Sequence, residues 1–185
     1  MNASTECRTK RGIRYALLAV FVVGLRRRDA GAVANAVVAT IGTFLPDLAE
    51  RAYDIKLRPW QRMYVRSAML THAIGMLGPY DDIRWWDHLT HMHSSSILGG
   101  VVFAISRRQG RDPRPRVVAV VVCLGLLWEI VECAVHTAGN RLGFEPVLVS
   151  YGTKDTVLDL VFDLIGALLV LAFGDRVLGD FAADA

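Results

Sequence analysis

Apolar residues in this chain do not alternate with polar ones. They gather in long runs separated by short charged patches. A bilayer hydrocarbon core of about 30 Å is crossed by roughly 20 helical residues, with a range of about 17 to 25. On that measure six segments are expected to span: 12–25, 30–46, 63–78, 87–106, 117–136 and 155–177. The fifth and sixth carry the clearest pattern. The first is short and gains length if Arg14 snorkels to the interface. The third is the least apolar, because it contains Arg66 and His72. Between the second and third lies the polar stretch 47–61, preceded by Pro46 and holding Pro59 and Trp60, a tryptophan suited to a membrane interface. Residues 107–116 read as a tight basic turn with Pro113 and Pro115, and 139–152 as the last loop. The expected fold is all-α, a polytopic transmembrane helix bundle forming one integral-membrane domain over 1–185, since no linker is long enough to separate two domains.

Composition agrees with a membrane chain. Hydrophobic residues make up 53% and mean hydropathy is positive at +0.34, whereas a soluble domain of this size carries fewer apolar runs. The net charge of +3 comes from arginines and lysines clustered between apolar runs. No basic face with interleaved aromatics is visible, so nucleic acid is not an expected partner. Cys7, Cys123 and Cys133 form no CxxC and no paired framework. The basic start (Arg8, Lys10, Arg11) before the run 15–25 has the look of a signal peptide. Arg26–Arg28 follow the run directly, without a small-x-small cleavage pattern, and the segment reads as a retained helix.

Charge asymmetry sets an expected orientation. With six spans and an inner N-terminus, the inner segments hold 14 Lys and Arg and the outer loops 6, leaving Arg66 aside as intramembrane. Without the first span the count becomes 10 against 10. The positive-inside rule therefore favours six spans with both termini cytoplasmic, in a cell (plasma or inner) membrane, although Arg26–Arg28 run against it.

Ionisable residues inside a bilayer cost about 2.5–3.5 kcal/mol each on insertion scales and usually face a bundle interior or water. The fourth span holds Asp87, His88 and His91 near its start. The fifth holds Glu129, Glu132 and His136 at i, i+3, i+7, and the sixth Asp155, Asp159 and Asp163 at i, i+4, i+8, each set on one helical face. In the expected topology all three stripes fall in the outer half of the membrane, below Asp81, Asp82 and the belt residues Trp85 and Trp86. Carboxylates side by side in a low dielectric must pair, take up protons or bind cations.

Blander roles stand beside these. Asp87 and Asp155 suit helix N-termini as caps, and the deeper carboxylates could make interhelical hydrogen bonds or pair with Arg84 or Arg141. His136 suits an interface, while His72 and His93 suit structural roles. Gly99, Gly100 and Gly166 suit close helix packing. If the cluster holds a divalent cation, the candidate ligands are Asp87, His91, Glu129, Glu132, Asp159 and Asp163, an oxygen-rich set suited to Mg²⁺, Mn²⁺, Zn²⁺ or iron. No HExxH, nucleophile elbow, Walker loop or dinucleotide-binding glycine pattern is present.

The order LPDLAERAYDIKLRP, YDDIRWWDHLTH, WEIVE and DTVLDLVFDLIGA resembles the YjdF-like predicted inner-membrane proteins over 44–167. The resemblance implies a multi-pass membrane fold and places recurring polar positions at Asp87, His91, Glu129, Glu132, Asp155, Asp159 and Asp163. It supplies no reaction. Ser94–Ser96 depart from a stretch that often contains glycine in that family. The order of Asp/His, Glu and Asp groups is also similar, more faintly, to VanZ-like membrane proteins. Three functions fit the residues. One is a cation-supported site for binding or turning over a lipid headgroup. The second is a structural or interaction protein whose stripes lock its helices. The third is a proton- or ion-coupled carrier, which the apolar inner halves of these helices disfavour.

Overall fold

The computed structural model describes residues 3–179, and every regular element among them is a helix. They are α1 (Ala3–Arg27), α2 (Ala30–Gly42), α3 (Leu45–Tyr53), α4 (Pro59–Gly75), α5 (Pro79–Asp82), α6 (Trp86–Arg108), α7 (Pro113–Leu142) and α8 (Thr153–Leu178). They group into two compact units, Met1–Trp86 and Asp87–Ala185.

In the first unit, α1 ends in a Schellman arrangement. The Asp29 amide donates to the Gly24 carbonyl at 3.0 Å and the Arg28 amide to that of Leu25 at 3.2 Å, with Arg28 in the left-handed region at φ 59°. Asp29 then caps α2, its carboxylate accepting from the Ala32 amide at 2.8 Å. Small residues let these helices meet. A Cβ on Gly24 would lie 3.2 Å from the Val33 nitrogen, and Ala32, Ala36 and Ala39 form the buried stripe of α2. Ile13, Leu17 and Val20 of α1 and Ala73 of α4 complete that core.

The stretch 47–61 is not one connecting loop, because its first part is α3. Pro46 sits at the start of α3, where its missing N–H costs nothing, and Asp47 in the first turn suits the helix dipole. The polar residues are there because α3 is amphipathic, and the chain leaves it through Asp54 at φ 50°. At the far end of this unit the Trp86 indole donates to the Thr71 carbonyl at 3.2 Å, and the Tyr80 hydroxyl meets His72 Nδ1 at 2.9 Å.

The second unit holds α6, α7 and α8. Glycines set their spacing. A Cβ on Gly166 would collide with Ser95 and the Met92 carbonyl, and one on Gly174 would lie 2.8 Å from the Phe103 ring. Dispersion between closely approaching backbones holds helices together where lipid removes the hydrophobic drive. Phe103, Val117, Val121 and Ala167 are the buried apolar core, while Leu127, Ile130, Val161 and Leu168 face outward. The last loop is shorter than the sequence suggests, because α7 continues to Leu142 and turns at Gly143, φ 72°. Gly139 does not end the helix. It packs on Pro146, whose Cα would be 3.0 Å from a Cβ there.

Three stretches of the described residues are long and apolar enough to cross a bilayer: Ala30–Tyr53, Pro113–Leu142 and Thr153–Leu178. Helices also occupy the first, third and fourth expected spans. The charges of α1, the 17 residues of α4 and the His/Ser-rich start of α6 make those three weaker by composition.

Candidate functional site

The first turns of α6 and α8 and the distal half of α7 meet at one end of the second unit, which gathers most of the acidic and histidine positions. Asp87 opens α6, its Oδ1 accepting from the Thr90 hydroxyl at 3.3 Å. One turn later His91 is buried between two carboxylates, with Asp87 Oδ1 3.7 Å from its Nε2 and Asp163 Oδ1 3.3 Å from its Nδ1. His88 Nδ1 lies 3.2 Å from Asp159 Oδ1, and its ring stacks on Phe162 at 4.6 Å and 6°. Two His–Asp pairs, His88–Asp159 and His91–Asp163, therefore bridge α6 and α8 on successive turns, as the i, i+3 spacing 88/91 and the i, i+4 spacing 159/163 allow. Gly125 of α7 leaves the space that Asp163 fills, for a Cβ there would lie 2.5 Å from Asp163 Oδ2.

One ligand atom from each of Asp87, His91 and Asp159 lies within 4.8 Å of the others. Two ligands about 2.1 Å from a tetrahedral ion are about 3.4 Å apart, close to the 3.7 Å between His91 Nε2 and Asp87 Oδ1. Asp163 on the opposite ring nitrogen then has the place of an outer carboxylate, which fixes the tautomer and plane of a metal-binding histidine. Two carboxylates and one imidazole suit Zn²⁺, Mn²⁺ or iron better than Mg²⁺, which prefers oxygen. Of the six candidate ligands, this geometry brings Asp87, His91 and Asp159 together and puts Asp163 behind His91.

Glu129 and Glu132 stand around this group. Glu132 lies within electrostatic reach of Glu129, Asp87, His91 and Asp159. Glu129 is reached by Thr156, and its Oε1 is buried with no hydrogen-bond partner among the described residues. Asp155 is within reach of Asp87, Glu129 and Asp159. His136 is engaged elsewhere: its Nδ1 accepts from the Ser150 amide at 3.3 Å and its Nε2 faces the Asn140 amide at 3.0 Å, tying the last loop to α7. Among the described residues Arg141 forms no ion pair with these carboxylates.

The first unit contains a charged group that span-by-span reading overlooks. Arg66 is 1% exposed, yet it reaches Asp47 at 2.6 Å, Glu6 at 3.7 Å and the Thr43 carbonyl at 3.3 Å. Arg62 forks onto both oxygens of Glu6 at 2.6 and 2.9 Å and also meets Glu50 at 2.9 Å, while Lys10 pairs with Asp47 at 2.8 Å. Arg14 lies over the Phe44 ring at 4.6 Å. The Arg62 hydrogen bond holds the Glu6 carboxyl below its ordinary range, and Glu6 in turn raises Arg62. The signal in the sequence was Arg66 itself, an intramembrane cation that needs carboxylate partners. These came from α1 and α3, helices where no acidic stripe was visible.

A family model described as "Predicted membrane protein (DUF2238)" matches residues 9–180. An uncharacterized protein of Thermotoga maritima is 27% identical over 138 residues, covering 68% of this chain and 67% of the relative. No solved structure matches the chain.

Proposed function

The chain belongs to the DUF2238 family of predicted membrane proteins, and from that premise we propose that it binds a divalent cation at Asp87, His91 and Asp159 and uses it to engage a lipid headgroup. The supporting observation is the convergence of those three ligand atoms within 4.8 Å, with Asp163 backing the histidine. The finer family reading is YjdF-like, and the VanZ-like similarity plays no part. In the proposed arrangement the chain crosses the cell membrane six times with both termini cytoplasmic, and the cluster lies in the outer half of the bilayer. There a bound cation would neutralise the buried carboxylates and present a Lewis-acidic centre to a phosphate oxygen. Glu129 and Glu132, within electrostatic reach of His91 and Asp87 but outside the three-ligand set, would orient a water or headgroup hydroxyl at a bound cation.

A thermal-unfolding series in detergent tests the reading. Zn²⁺ or Mn²⁺ at 100 times its Kd stabilises a folded protein by about 2.7 kcal/mol, so a rise in Tm is expected that Asp159→Asn and His91→Ala abolish. A rise that persists in both variants sinks it.

A second reading, that the stripes only lock helices, is favoured by the two bridging pairs His88–Asp159 and His91–Asp163. On that reading both variants lower Tm in metal-free buffer and no cation raises it in wild type.

A further inference from the structure

We propose that an open groove along α7 is a binding site for one anionic glycerophospholipid, with its phosphate at Arg141 and an acyl chain lying toward Leu126. The use made of that lipid rests on the headgroup reading above; the binding itself does not.

The groove has a volume of about 850 Å³ and its lining is mostly apolar. Its walls follow from helical spacing. Leu126, Ile130, Ala134, Ala138 and Leu142 recur every four residues on one row, and Glu129, Cys133, Thr137 and Arg141 on the next, with Thr156 of α8 at the side. The small residues Ala134, Ala138, Cys133 and Thr137 give the concavity, and bulkier Leu and Ile close its ends.

Two observations choose the occupant. The first is length. From 126 to 142 the helix rises about 24 Å at ~1.5 Å per residue, and one leaflet including its headgroup region measures about 20–22 Å, half of the full bilayer. A second copy of the chain would require a facing surface of comparable length, whereas a lipid requires only one leaflet.

The second is charge. Arg141 lines the outer end, is exposed, and forms no ion pair among the described residues. Side chains of a helix lean toward its N-terminus, so the guanidinium is carried back over the groove at the depth of lipid phosphates. Glu129, which lines the groove, stands within electrostatic reach of His91 and Asp87.

Native mass spectrometry of the full chain, released from detergent with phosphatidylglycerol or phosphatidylcholine of equal chain length, tests this. One arginine near anionic lipid is worth about 1 kcal/mol, so wild type should retain phosphatidylglycerol about fivefold better. Arg141→Gln should bring the two lipids to parity, and Ala134→Trp, which fills the groove, should lose both. Wild type measured with and without a chelator separates the two readings: selectivity that survives chelation and is lost in Arg141→Gln belongs to the groove, and selectivity lost on chelation alone overturns it in favour of the cation. If Ala134→Trp misfolds, Ala138→Phe serves in its place. Equal retention of the two lipids by wild type, or undiminished selectivity in Arg141→Gln, would overturn the proposal.

Discussion

The carboxylate of Asp163 on α8 stands 3.3 Å from Nδ1 of His91 on α6, and both side chains are buried. An imidazole held on one nitrogen by a carboxylate presents the other in a fixed direction, here toward Asp87. The pair both joins two helices and aims a ligand.

Asp163→Ala should therefore weaken metal binding without removing a ligand. Outer partners of metal-binding histidines are worth about 10–100-fold in affinity, so a competitive chelator titration should show a loss of that size. An unchanged affinity would mean that His91 does not bind through its far nitrogen.

Gly125→Ala probes the same carboxylate from α7. The added methyl lies 2.5 Å from Asp163 Oδ2 and 3.2 Å from Leu160 Cδ2. Overpacking of this kind costs about 1–3 kcal/mol. The expected result is a lower Tm together with weaker metal binding, read on the same preparation by unfolding and titration.

Arg66 anchors the first unit. Arg66→Ala opens a hole and strands part of the charge on Asp47 and Glu6, which should cost about 3 kcal/mol or more. Lys10→Ala removes a pair whose side chains are 30% and 29% exposed and should cost below about 1 kcal/mol. Equal effects in denaturant unfolding would contradict the buried role of Arg66.

Glu6 gives this unit an acid limb. Its carboxyl is held below the ordinary value of 4.5 by Arg62. A carboxyl lowered on folding contributes fully above its unfolded pKa and loses that contribution as pH falls through the folded one. Wild type should thus lose stability between about pH 5 and pH 3 more steeply than Glu6→Gln, which should itself be less stable at pH 7. Parallel pH profiles for the two proteins would refute the Arg62–Glu6 coupling.

The membrane class and the three polar stripes were legible because apolar run length and the spacings 87/91, 129/132 and 155/159/163 are local properties of a helix. Which atoms meet was not. His136 shares a face with Glu129 and Glu132, yet it is held by Asn140 one turn on and by Ser150, which a loop whose path no periodicity encodes brings back to α7. The division of labour between Asp159 and Asp163 depends on helix rotation, set by Gly125 and Gly166. The ion group around Arg66 escaped because its carboxylates lie on α1 and α3, joined to α4 only by tertiary packing.

The most direct measurement is the metal content of the full chain purified in detergent, after loading with Zn²⁺ or Mn²⁺ and removal of free ion. The account predicts one ion per chain in wild type, and little or none in Asp87→Asn, His91→Ala or Asp159→Asn proteins that remain folded. Wild type without stoichiometric metal, or folded variants that keep it, would contradict a cation site at Asp87, His91 and Asp159.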